Sequence, residues 1–243
     1  ELRERIRGYY NTLYSTSIHP DDILISAGSK PIIFMAMQAV LNPGDLVVIH
    51  EPAWLSYQEQ ARLCDAKVCF IPFDVPVDEF HRYLTKRAKL LVINNPNNPA
   101  GRIYTQRELL ILHKACQERG VWLLVDEAYS DFVLDDFTFI SMAGQPGVIV
   151  VNSLSKNMGM SGWRVGYAIA EPRIIEVLLK LNQHIITCAP TLLLLYLAKY
   201  FDQILEYTLP QVRAVTEKRA RIAHKLDELG FRYLAGSATF YFF

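Results

Sequence analysis

The chain has 243 residues, 51% of them apolar, enough for one large domain or two small ones around a substantial core. Its 25 basic and 25 acidic residues cancel, which argues against a nucleic-acid footprint or an electrostatic membrane anchor. The longest greasy stretch, Thr191 to Ala198, is far too short to span a bilayer.

The pattern opens on a helix, Glu1 to Tyr10. Short β-rich runs then alternate with helical ones. The expected strands are Ile23–Ser26, Leu46–His50, Lys67–Pro72, Lys89–Asn94, Val121–Val125, Val148–Asn152 and Val165–Ala170. Several are continuously apolar, as strands covered on both faces must be. Helices are expected over Pro31–Leu41, Leu55–Cys64, Gln106–Glu118 and from Pro172 past Leu181. Thr105 and Glu108 form a T-x-x-E capping box, while Asn42-Pro43-Gly44-Asp45 and Glu118-Arg119-Gly120 are stops. A charged amphipathic helix is expected from Pro210 to about Leu229, and then an apolar strand, Ala238–Phe243. The rhythm predicts a three-layer α/β fold on a mostly parallel, mixed seven-stranded sheet. Residues 1–230 read as its large domain and 231–243 as the start of a smaller one. The helical opening without Met and the apolar end read as a portion of a longer protein.

Cys64, Cys69, Cys116 and Cys188 form no CxxC pair and lie in apolar segments. They read as buried, reduced thiols of a cytoplasmic protein, and no secretory pattern occupies the first residues. The six histidines lack HxxxH and HExxH spacing, so no dedicated metal site is expected.

In such sheets ligands bind outside the carboxyl ends of the strands, so the polar residues ending each apolar run should converge. Ala27-Gly28-Ser29-Lys30-Pro31 opens a helix whose first amides can receive an anion. Trp54 follows the second run and can stack on a planar ring or pack in the core. Asn94-Asn95-Pro96-Asn97-Asn98-Pro99-Ala100-Gly101 holds four Asn and two Pro in eight residues, a rigid turn carrying amide side chains. Asp126-Glu127-Ala128-Tyr129 ends the fifth run. A P-loop NTPase is excluded because G-x-x-x-x-G-K-[ST] is absent, so this carboxylate is left to hold a cation or a protonated ring nitrogen. Ser153-Leu154-Ser155-Lys156 ends the sixth and also fits S-x-x-K, but the S-D-N and K-T-G companions of penicillin-recognising enzymes are missing. Lys156 places a primary amine at the mouth of a buried sheet, where desolvation favours the neutral form that attacks carbonyls. Arg164 adds a fixed cation.

One ligand uses all of these groups: pyridoxal phosphate. Its phosphate takes helix amides, hydroxyls and an Arg, and its ring an aromatic. Its ring nitrogen takes Asp126, its phenolic oxygen Asn98 and Tyr129, and its aldehyde Lys156.

On these residues the chain resembles the class I/II aminotransferases, the fold-type I pyridoxal-phosphate enzymes. Ser153-Leu154-Ser155-Lys156-Asn157-Met158-Gly159-Met160-Ser161-Gly162-Trp163-Arg164-Val165-Gly166-Tyr167 is similar to their lysine signature. Asn94–Gly101 and Val125–Tyr129 match two further motifs in the same order. The resemblance covers the whole chain and implies a role for each matching position. Lys156 would be the Schiff-base lysine and proton shuttle, and Asp126 the partner of the ring nitrogen. Asn98 and Tyr129 would serve the ring oxygen, and Trp54 would be the stacking aromatic. Ser29, Lys30 through its backbone, Ser153 and Arg164 would form the phosphate cup, with Ser155 a weaker candidate. Pro31 departs from the Gln or Glu common there and removes one amide donor.

The resemblance further implies an aminotransferase acting between an amino acid and a 2-oxo acid, and a homodimer. Its substrate-carboxylate Arg would fall beyond Phe243, and its N-terminal arm before Glu1. A C–S lyase, a decarboxylase or the aminotransferase-like effector domain of a transcription regulator would use the same cofactor residues.

Overall fold

The computed structural model describes residues 1–134 and 137–243. Seven strands form one sheet: β1 (Ile23–Ser26), β2 (Leu46–His50), β3 (Lys67–Ile71), β4 (Ala88–Asn94), β5 (Trp122–Asp126), β6 (Val148–Ser153) and β7 (Gly166–Ile169). Their spatial order is β1-β7-β6-β5-β4-β2-β3. β3, β2, β4, β5 and β6 run parallel, whereas β7 is antiparallel to both β6 and β1. The expected mixed, mostly parallel seven-stranded sheet is therefore the observed one, with boundaries within one residue.

Seven α-helices accompany it among the described residues: α1 (Leu2–Leu13), α2 (Ser29–Val40), α3 (Ser56–Leu63), α4 (Gln106–Arg119), α5 (Leu154–Asn157), α6 (Pro172–Ile185) and α7 (Thr191–Glu228). Side chains alternate across a strand, so each apolar run feeds two layers. Val48, Leu91, Leu123 and Val150 pack in the layer of α1, α4 and α7. Val47, Ile49, Leu90, Val92, Leu124, Ile149 and Val151 pack in the layer of α2, α3 and α6. This double coverage explains why the runs are continuous rather than alternating. Each fully buried aliphatic contributes about 1.5–3 kcal/mol relative to exposure.

The Thr105 capping box forms in both directions: Thr105 Oγ1 accepts from the Glu108 amide over 3.2 Å, and a Glu108 oxygen accepts from the Thr105 amide over 2.8 Å. Gly120 stops α4 in the left-handed region, at φ 62°.

Three expectations need correction. The helix expected to follow Pro210 begins at Thr191, kinks at Tyr200 and carries Pro210 inside it. A buried stripe from Leu197 through Leu205 and Val212 to Thr216 supplies packing that outweighs the one lost backbone bond. Ala238–Phe243 forms no strand. The Ala238 amide goes instead to the Gly101 carbonyl, as does that of the preceding Ser237, and the Thr239 amide goes to the Phe132 carbonyl. Of the four thiols, Cys64 and Cys116 are buried, Cys69 is half-buried and Cys188 is exposed; all are free.

Candidate active site

The strand pattern brings one edge of the sheet together. β1, β2, β4, β5 and β6 all end there, and the antiparallel β7 begins there, so the residues before Gly166 face the residues after Ser26. Gly166 pairs with both Ser26 and Ser153. A Cβ on Gly166 would lie 2.5 Å from the Ser29 amide nitrogen, so α2 starts directly against the backbone of β7. Gly28, at φ +96°, leads into α2, and a Cβ there would lie 2.3 Å from Nη2 of Arg164. Arg164 itself is left-handed, and its Nη1 donates to the Ser161 carbonyl over 2.8 Å. The amides opening α2, an exposed guanidinium and the Ser153 hydroxyl thus surround one small space. Ser153 Oγ donates to Ser155 Oγ over 2.8 Å, which brings the weaker candidate to the same place. These groups suit an anion: unpaired amides at a helix start, a fixed cation and hydroxyl donors.

Asp126 is buried at the tip of β5. Its Oδ2 accepts from the Tyr57 phenol over 2.6 Å, and its Oδ1 from the Ala128 amide over 3.0 Å. Burial raises its pKa, and those two donors work in the opposite direction by favouring the carboxylate. Tyr57 is held as a neutral donor, because burial and then the Asp126 charge both raise its pKa.

Asn98 Nδ2 donates to the Tyr129 hydroxyl over 3.4 Å, so the two can share one acceptor. The Asn98 turn is locked by its own sequence: Asn94 Oδ1 accepts from the Asn98 amide, and Asn97 Oδ1 from the Ala100 amide. The Tyr129 hydroxyl also meets that of Tyr241 over 3.1 Å. Burial raises the Tyr129 pKa, and Tyr241 adds to the effect. Lys156, partly exposed on α5, carries its Nζ 5.6 Å from the centre of the Tyr129 ring. Trp54 lies edge-on to Tyr57, with ring centres 5.4 Å apart, and the Lys30 ammonium sits 5.0 Å from its indole. Lys30 therefore offers the anion space its amide while its side chain covers the indole.

Ser29, Lys30, Trp54, Asn98, Asp126, Tyr129, Ser153, Lys156 and Arg164 all lie at this one edge. Two participants escaped the sequence reading. Tyr57 carried a usable signal, since it follows Trp54 by three residues at the opening of a helix. Gly166 carried none, because its role is closeness to a segment far away in the chain. The pockets of about 470 and 480 Å³ along α4 contain none of these residues. Among the described residues no group of three or more His, Cys, Asp or Glu is arranged to hold a metal, and no helix is long and apolar enough to cross a membrane.

All of residues 1–243 match the family described as aminotransferase class I and II. The chain belongs to that family. It is 29% identical to an aspartate aminotransferase of Thermotoga maritima over its whole length, covering 66% of that protein. It is 34% identical to an asparagine–oxo-acid transaminase of Streptococcus mutans over 74% of this chain and 49% of that protein. The chain thus spans about half to two thirds of the length of these curated relatives. Among solved structures, a mutant aspartate aminotransferase of Thermus thermophilus superposes with a TM-score of 0.92 at 25% identity, covering 99% of this chain and 66% of that one. An aromatic aminotransferase of Pyrococcus horikoshii gives 0.92 at 29% identity, covering 99% and 68%.

Proposed function

We propose that this chain is the cofactor-binding part of a pyridoxal-phosphate-dependent aminotransferase, exchanging an amino group between an amino acid and a 2-oxo acid through a lysine Schiff base. Residues 1–230 form its large domain, and 231–243 lead into a smaller one. The observation that carries the reading is the pairing of Asp126 with Tyr57 at one strand tip, while the Lys156 amine lies over the ring of Tyr129, whose hydroxyl accepts from Asn98. A planar ring with a basic nitrogen, an acidic oxygen and a carbonyl has a complementary group for each. The donor set at Gly28, Ser29, Ser153 and Arg164 suits the phosphate. The relatives named aspartate aminotransferase support the reaction class.

When bound, pyridoxal phosphate supplies the carbonyl that condenses with an amine and the ring that draws electrons from the substrate Cα. Lys156 would hold the group through its Nζ, and its freed nitrogen would carry the substrate Cα proton. Asp126 would hold a proton on the ring nitrogen, and the Tyr57 phenol favours the ionised carboxylate that this needs. Asn98 and Tyr129 would donate to the ring oxygen. Ser29, the Lys30 amide, Ser153, Ser155 and Arg164 would hold the phosphate, and Trp54 would pack against the ring. A homodimer, and a substrate pocket completed by segments outside this chain, belong to the same proposal.

The deciding experiment is the absorbance of the lysine-linked cofactor in the full-length protein. Lys156→Ala should abolish the band while leaving the fold intact, and persistence of the band would refute the assignment. Conversion to the aminated cofactor on adding single amino acids then identifies the donor.

A further inference from the structure

The lysine is carried by an unusually slight element. α5 is one helical turn, Leu154–Asn157, too short to be stable by its own hydrogen bonds. Its start is fastened by Ser153, whose Oγ accepts from the Ser155 amide over 3.2 Å. Its other end is fastened by Asn157, the residue after the lysine. Asn157 is buried, and its Nδ2 donates to Asp131 Oδ2 over 2.7 Å. Asp131 Oδ1 in turn accepts from the phenols of Tyr14, over 2.9 Å, and of Tyr9; Tyr9 lies on α1 and Tyr14 caps its end. Three donors converge on one carboxyl group, which suits its acceptor-only ionised form. Tyr9 and Tyr14 are braced edge-to-face at 5.7 Å, and Tyr9 packs likewise on Phe201 of α7. The segment after β5 therefore meets the lysine turn twice, through the Tyr129 ring at the amine and through Asp131 at the next residue.

We propose that Asp131 is a positioning residue for Lys156, clamping the end of its single helical turn through Asn157 and tying that turn to α1 through Tyr9 and Tyr14. This rests on Lys156 being the cofactor-bonding amine. An amine with two tasks must reach two atoms in succession, and a small displacement of its backbone penalises proton transfer more than binding.

The test uses Asn157→Ala, Asp131→Ala and Asp131→Asn in the full-length protein. In the cofactor-free protein, Asn157→Ala should speed amide hydrogen exchange across residues 154–158 by about tenfold. After loading, the lysine-linked band should still form in both Ala variants. Their kcat should fall about 10- to 100-fold, with KM and cofactor Kd changed by less than about threefold. Asp131→Asn should recover kcat to within about threefold of the unaltered protein. The Asn157 Oδ1 has no partner among the described residues, so turning that amide over lets it accept from the new side chain. Unchanged kcat in Asn157→Ala overturns the proposal, as does an Asp131→Asn variant no better than Asp131→Ala. If Asp131→Ala does not fold, Asn157→Ala with its exchange and kcat readouts decides alone. A missing band in the unaltered protein removes the cofactor reading and this proposal together, whereas a normal band with unchanged kcat removes this proposal only.

Discussion

The Tyr57 phenol donates to Oδ2 of Asp126 over 2.6 Å, from the first turn of α3 to the tip of β5. In the proposed role beside a ring nitrogen a buried carboxylate has to stay ionised, and that form is favoured by such a donor. Tyr57→Phe should remove it with almost no change of shape. A hydrogen bond to a charged group is worth about 1.5–3 kcal/mol, so kcat should fall about 10- to 150-fold. Losing the donor raises the Asp126 pKa further, so the acidic limb of the kcat–pH profile should move to higher pH. A profile that stays in place would mean that Tyr57 does not tune this carboxylate.

The two glycines of the anion space should fail differently. A Cβ on Gly28 meets the end of the flexible Arg164 side chain, whereas one on Gly166 meets the backbone of Ser29 and Gly28. Gly28→Ala should displace the guanidinium and strain a backbone at φ +96°, weakening cofactor binding by about tenfold or more, as titration of the absorbance band would show. Gly166→Ala forces backbone apart and should cost about 1–3 kcal/mol or more of folding stability, measured by denaturant unfolding.

Glu127 carries a stability dependence that can be isolated. It is wholly buried, where it accepts from Tyr10, Ser141 and the Met142 amide. Burial raises its pKa to about 8 despite those donors. The folded state therefore binds a proton that the unfolded chain releases near the ordinary glutamate pKa. This contribution is fully present below that ordinary pKa and is lost as pH rises through about 8. The slope attributable to Glu127 approaches about −1.4 kcal/mol per pH unit in the middle of the window. Glu127→Gln should flatten the stability–pH curve there. A curve identical to that of the unaltered protein would show that the carboxyl titrates normally.

Thr105→Ala removes the side-chain half of the α4 capping box. The expected loss is about 1 kcal/mol, or roughly 2–4 °C in Tm for a domain of this size. Cofactor absorbance should be unaffected, since α4 carries no site residue.

The convergence of the candidate residues was legible because each ends an apolar run, and the parallel sheet makes run endings neighbours. Ser29, Trp54, Asn98, Asp126 and Lys156 could be collected from the chain on that ground alone. Pro210 misled, because local breaking chemistry says nothing of a buried stripe that holds a helix together across it. Ala238–Phe243 misled in the opposite sense. Its composition suits a strand, but its amides find the carbonyls of Gly101 and Phe132 instead of a strand partner.

By itself, then, the sequence determined the strand-and-helix alternation, the double burial of the strands and the residue types at their tips, because these follow from local periodicity and turn chemistry. Only the tertiary structure decided which distant groups serve them: Tyr57 on Asp126, Gly166 under Ser29, and Asp131 with the phenols of Tyr9 and Tyr14 behind the lysine turn. Those relations depend on register between strands and on helices packed on the sheet from distant parts of the chain, and no local pattern encodes either.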